Sequence, residues 1–152
     1  MRAIEILFPF SLPGMNEIIA MAKQQLRGRG RRGQRQSLYS ITKANLTGAC
    51  SVIIDTALKA QGVKKPIQTP IDLEFRWEVT RRRDPDNTAC GCKFIIDGLV
   101  WAGALTNDGF DEVHTITHTF AAAPKHAQRV LMKITFPKTG KRVKITFPKE
   151  GK

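Results

Sequence analysis

The clearest periodicity in the chain runs from residue 71 to 80, where Ile71, Leu73, Phe75, Trp77 and Val79 alternate with Asp72, Glu74, Arg76, Glu78 and Thr80. A period of two puts the apolar set on one side of an extended strand, so this segment predicts a half-buried strand. Its other face must meet water or a ligand. Ile4, Ile6, Phe8 and Phe10 repeat the pattern and predict a first strand that ends near Pro9. The turn Leu12-Pro13-Gly14-Met15-Asn16 and a short helical stretch around Glu17 to Gln25 come next. The period then becomes helical: Leu38, Ile41, Leu46, Ala49, Ile53, Ala57 and Ala60 lie between Ser37, an N-cap, and Gly62, a stop. That span predicts a helix of about six turns.

Residues 87 to 103 read as a further helix, with Ile95, Ile96, Leu99, Val100 and Trp101 as its apolar stripe and Gly103 near its end. A strand from Val113 to Phe120 follows. On it His114 and His118 share a parity with Ile116 and Phe120, and ordinary packing or a surface role suits them better than metal binding. The segment KITFPK occurs at Lys133 to Lys138 and again at Lys144 to Lys149, which predicts a terminal hairpin or a duplicated last strand over 133–152, or a loose tail for the second copy. The elements run strand, basic loop, helix, strand, helix, strand, strand. They predict a single α+β domain over 1–152, a mixed β-sheet packed with helices.

The chain has 152 residues, with 25 Lys and Arg against 13 Asp and Glu, a formal charge of +12. That field favours a polyanionic partner such as nucleic acid over a membrane surface, because no basic amphipathic helix stands out. Much of the charge sits in RGRGRRGQRQ at 27–36, which is too polar and glycine-rich to pack a core. With almost no aromatic residue in it, this loop suits phosphate contact through Arg27, Arg29, Arg31, Arg32 and Arg35 better than base stacking; the alternative is a solvated linker. Cys50, Cys90 and Cys92 are odd in number and lack zinc-pair spacing, which predicts reduced thiols in a cytoplasmic protein. An acid within the first apolar run and prolines just after it argue against a signal peptide, and no segment approaches membrane-spanning length. No small-molecule cofactor is expected.

The candidate chemistry is concentrated in Arg81-Arg82-Arg83-Asp84-Pro85-Asp86-Asn87, followed by Lys93, Asp97 and Asp108. Carboxylates two residues apart repel unless a proton or cation lies between them, and hard oxygen ligands suit Mg²⁺ or Mn²⁺. Arginines beside them would hold a phosphate near such a metal. If the strand persisted past Val79, Arg82, Asp84 and Asp86 would share its polar face. Asp84 before Pro85 is equally an N-cap with proline at the first helical position, and the two readings are compatible. Lys93 and Asp97, at i and i+4, form a helix-surface ion pair in the simplest reading, and Lys93 is also spaced to reach back toward a phosphate near Asp86.

These residues resemble the RusA-type Holliday junction resolvases, homodimeric Mg²⁺-dependent endonucleases of bacteria and their phages. That family has RRRDxDN, a lysine four residues before an aspartate on a helix, and a DD pair some residues before a valine. Here Arg81 to Asn87 match the first element, Lys93 and Asp97 the second, and Asn107-Asp108 before Val113 the third. The resemblance covers roughly 71–120, and Leu12 to Glu17 with the basic stretch look like a phage-type N-terminal part. It implies that Asp84, Asp86 and Asp108 are metal-binding carboxylates, that Lys93 is catalytic or contacts the scissile phosphate, and that Asn87 belongs to the site. Arg81, Arg82, Arg83 and the loop arginines would contact DNA. Two departures stand out: Asn107 replaces the first acid of the DD pair, and the step from Asn87 to Lys93 is longer than in shorter members.

Geometry points toward a dimer independently. A helix over 87–103 would be about 25 Å long, and an extended loop of five residues reaches only about 18 Å. Either the helix ends early, or Asp84 and Asp86 of one subunit meet Asp108 of another. The expected activity is paired nicking of four-way DNA in recombination and repair. The alternatives are a flap or branched-DNA nuclease and a catalytically inactive DNA-binding homologue, for which Asn107 is the hint.

Overall fold

The computed structural model describes residues 2–24 and 37–137; the loop at 27–36, with its five arginines, and the second KITFPK copy lie outside them. The first strand, β1 (Ile4–Phe8), buries Ile4, Ile6 and Phe8 and exposes Glu5 and Leu7, as its alternation requires. Helix α1 (Met15–Lys23) is capped at Gly14, whose N–H donates to the Glu17 carboxylate at 2.7 Å, so the helix starts two residues before the expected Glu17. Helix α2 (Leu38–Ala60) is capped by Ser37, whose Oγ accepts from Ser40 N at 3.2 Å, and stops before Gly62, which has φ +67°. Strand β2 (Ile71–Val79) leads into two short helices, α3 (Pro85–Ala89) and α4 (Cys92–Trp101), and then into β3 (Val113–Ala122) and β4 (Arg129–Thr135).

These elements form one α+β domain around a mixed four-stranded sheet of order β1-β4-β2-β3. β4 lies between β1 and β2 and is antiparallel to both, while β2 and β3 are parallel. A parallel pair needs a crossover of a dozen or more residues, which α3 and α4 supply. The buried face of the sheet, with Ile6, Phe8, Leu73, Phe75, Met132 and Ile134, packs against Cys50, Ile54 and Leu58 of α2 and Phe94, Ile95 and Leu99 of α4. Lys133 to Thr135 of the first KITFPK copy supply the end of a central strand.

Three local expectations are corrected. The helix expected over 87–103 is two helices that break at Cys90-Gly91. A Cβ on Gly91 would lie 2.9 Å from Leu12 Cβ and 3.2 Å from Trp77 Cη2, so the 12–13 turn presses against the break and only glycine fits. Trp101, placed in the apolar stripe, is 61% exposed. The strand register also shifts at His114: Ile71 pairs with Val113 but Asp72 with Thr115, a bulge that moves His114 to the polar face. There its Nδ1 meets Asp72 Oδ1 at 2.8 Å, while His118 stays on the apolar side, stacked on Phe75 with ring centroids 5.4 Å apart. The two histidines do not face one another: His114 is exposed on the polar face and His118 packs against Phe75 and Trp77.

Helices α2 and α4 approach closely at Gly98, where an added Cβ would lie 2.8 Å from Cys50 Cβ and 3.3 Å from Ile54 Cδ1. Gly98→Ala should therefore destabilise the fold by about 1–3 kcal/mol through overpacking, although alanine is the better helix former by about 1 kcal/mol. Equilibrium denaturation reads the sign, and a stabilised variant would refute the tight contact. Burial also pushes the His118 pKa below its ordinary value, and Trp77 Nε1 donates to His118 Nδ1 at 3.0 Å, which requires that nitrogen to be unprotonated. The unfolded chain takes up this proton near pH ~6.5, the folded chain only at lower pH. Stability from the neutral ring is thus complete above about pH 6.5 and is lost as the pH falls through the folded-state pKa. Denaturation from pH 7.5 to 5 should show an acid-side loss of stability that is reduced in His118→Phe; equal slopes in both proteins would rule this out.

Candidate active site

After Val79 the chain bends at Thr80 and Arg81, so the strand does not carry its parity on to Asp84 and Asp86. Pro85 sets both positions instead. It holds the preceding residue in extended geometry, and Asp84 has φ −64° and ψ 138°, the N-cap position of α3, with proline opening the helix. The Asp84 carboxylate nevertheless makes no cap hydrogen bond. Asp86 lies in the first turn of α3; both acids are exposed, and neither carboxylate is hydrogen-bonded or ion-paired among the described residues.

The preceding arginines are differentiated by the fold. Arg83 forms a two-pronged ion pair with Glu17, Nη2 to Oε1 at 2.9 Å and Nη1 to Oε2 at 3.2 Å. The same Glu17 oxygen that takes Nη1 also accepts the Gly14 N–H, so one carboxylate caps α1 and orients Arg83. Asn87 supplies a second tie: its Oδ1 accepts the Asn16 N–H at 3.0 Å, and a Cβ on Gly14 would sit 2.7 Å from that oxygen. The segment Gly14 to Glu17 is thus clamped against 83–87. Arg81 and Arg82, exposed, line a cleft of about 290 Å³ with Arg83, Thr80, Pro85 and Phe120.

Lys93 and Asp97 form the expected i,i+4 ion pair, Nζ to Oδ2 at 3.5 Å, and Lys43 of α2 approaches the same oxygen at 3.4 Å. The ammonium of Lys93 is therefore directed along α4, away from Asp86. Asp108 is exposed in the loop before β3. Its position follows from topology. Val113 pairs with Ile71, the first residue of β2, whereas Asp84 follows the last, Val79, by five residues. Nine residues of strand separate the two ends by about 26 Å. Asp84 and Asp86 lie beyond one end of the parallel pair, Asp108 before the other. Among the described residues no three His, Cys, Asp or Glu side chains converge as a metal site.

Burial pushes the Cys50 thiol up to about 12, and burial, with Cys90 close by, pushes Cys92 up to about 11, so both are protonated at neutral pH. All three thiols are free. No helix among the described residues is long and apolar enough to cross a membrane. Glu17, which orients Arg83, and Asn87, which secures the turn, are the structural supports of the motif. Glu17 was legible only as the acid three residues after Gly14, half of a capping box, and nothing local links it to Arg83. No protein-family model matches this chain, and no curated protein is significantly similar to it.

Proposed function

We propose that this chain is a Mg²⁺-dependent, structure-specific endonuclease of the RusA type that acts as a homodimer on four-way DNA junctions and nicks paired phosphodiesters. The observation that carries the reading is the pair Asp84 and Asp86: exposed carboxylates two residues apart, unpartnered among the described residues, beside an arginine-walled cleft. Such acids contribute little to the fold, since Asp84 occupies a cap position without capping. They suit a hard divalent cation.

Mg²⁺ or Mn²⁺ held there, with Asp108 of a second copy as a further ligand, would supply water activation and neutralise charge at the phosphate. The chain's own residues do the rest. Arg81 and Arg82 bind phosphate oxygens, and Glu17 and Asn87 keep the 83–87 segment in place. The Lys93 side chain is 48% exposed and shares Asp97 Oδ2 with Lys43, so it can turn to a phosphate while Asp97 keeps a cationic partner. The separation of Asp108 from Asp84 and Asp86 supports a shared site, and a two-fold dimer offers two nicking centres to a two-fold junction.

The test is cleavage of a labelled four-way junction, a flap and a linear duplex of the same sequence, with and without Mg²⁺. Metal-dependent, symmetric nicking of the junction alone is expected. Equal cleavage of the flap would identify a broader branched-DNA nuclease. Tight junction binding without cleavage in Mg²⁺ or Mn²⁺ would identify a binding protein, with the acids left to structural roles.

A further inference from the structure

The turn joining β3 to β4 closes a second cleft at the Asp84 end of the sheet. It has a volume of about 520 Å³ and is lined by Thr80, Arg81, Arg83, Lys125, His126 and Gln128, with no carboxylate among these residues. The turn is anchored on both sides. Ala123 N donates to Val79 O at 2.9 Å, Gln128 Nε2 donates to Thr80 Oγ1 at 2.6 Å, and Ala127 N donates to Pro124 O at 3.0 Å. In the four-residue turn so closed, 124–127, His126 is the third residue and has φ +66°. Glycine or asparagine is the usual residue at a third turn position with positive φ, and a histidine there carries a backbone cost. That cost brings an imidazole into the cleft beside Lys125 and Arg81.

The neighbouring charges sharpen the choice of ligand. Arg129 at the start of β4 is hydrogen-bonded to Glu78, which also faces Arg76 at 3.3 Å, and these arginines hold Glu78 below the usual carboxylate range. Arg83 is paired with Glu17. The cations of the cleft that have no ion-pair partner among the described residues are therefore Arg81 and Lys125. With the imidazole and the Thr80 hydroxyl they offer several hydrogen-bond donors around an open, polar volume, a set that fits a phosphate.

We propose that the β3–β4 turn and Arg81 form a backbone phosphate site, Lys125 and His126 contacting a phosphate of the DNA strand that leads to Asp84. The proposal rests on the DNA-binding part of the function argued above and is independent of cleavage. Thr80, Arg81 and Arg83 line both this cleft and the one beside Pro85, so a strand lying across Arg81 contacts both.

The experiment measures anisotropy of a labelled four-way junction with the full chain, without Mg²⁺, from 0.05 to 0.3 M salt. Lys125→Ala should lower the slope of log K against log salt by about 0.9 and weaken binding about eightfold at 0.1 M, the effect of one lost phosphate contact. His126→Gly is the second variant. Glycine is at ease at positive φ, so the fold should be as stable or more stable, and yet binding should weaken; a histidine that only shaped the turn would leave affinity unchanged. Wild-type slope and affinity in Lys125→Ala would overturn the proposal. So would saturable binding of inorganic phosphate that is lost in Lys125→Ala while DNA affinity is not, because the cleft would then serve a free anion. A chain that binds but never nicks would sink the nuclease reading and leave this site standing if the slope still falls.

Discussion

Asp84→Asn is expected to abolish Mg²⁺-dependent nicking of a four-way junction while leaving junction binding equal to or tighter than wild type. A carboxylate that ligates a catalytic metal supports several kcal/mol of transition-state stabilisation, so a loss on the order of 10³-fold in rate is expected. Asparagine keeps the shape and ranks with aspartate as an N-cap, and Asp84 makes no cap hydrogen bond that the change would remove. Stability should therefore move by less than about 0.5 kcal/mol. Binding is retained because the variant removes a negative charge facing a polyanion beside Arg81 to Arg83. Single-turnover nicking with Mg²⁺, anisotropy without it, and a denaturation curve separate the three quantities. Wild-type nicking by the variant would remove Asp84 from the site, and a destabilised variant would restore its structural role.

Mixing two inactive proteins should restore activity if the site spans two copies. In a heterodimer of Asp84→Asn with Asp108→Asn, one site combines both substitutions. The other combines wild-type Asp84 and Asp86 of the second subunit with wild-type Asp108 of the first. Half of randomly exchanged dimers are heterodimers with one intact site of two, so nicking should recover to about one quarter of wild type, one strand per junction. If all three acids acted within one subunit, each site in the mixture would retain a substitution and nothing would recover. The parallel register of β2 and β3 motivates this test, since it puts Asp108 and Asp84 beyond opposite ends of a nine-residue strand.

Much of the scaffold was legible locally. Strict alternation over Ile71 to Val79 marked β2, and Ser37 and Gly62 marked both ends of α2, because strand parity and helix caps depend on residues within a few positions of one another. The acids, arginines and Asn87 were legible as a motif for the same reason. What was missed depends on contacts far apart in sequence. The break at Cys90-Gly91 depends on the approach of Leu12, and the bulge that separates the faces of His114 and His118 depends on pairing with β2. A one-residue shift in register reverses every side chain after it, and no periodicity within β3 reports it.

The chain by itself determined an α+β domain, its strand faces and the charged segment at 81–87, since burial pattern and capping are properties of neighbouring residues. Only the tertiary structure decided that β4 lies between β1 and β2, that Glu17 reaches 66 positions along the chain to Arg83, and that Lys125 and His126 share a cleft with Arg81. Sheet order and long-range ion pairs are chosen by the free energy of burying the whole apolar face at once, and that is a property of the assembled fold rather than of any segment.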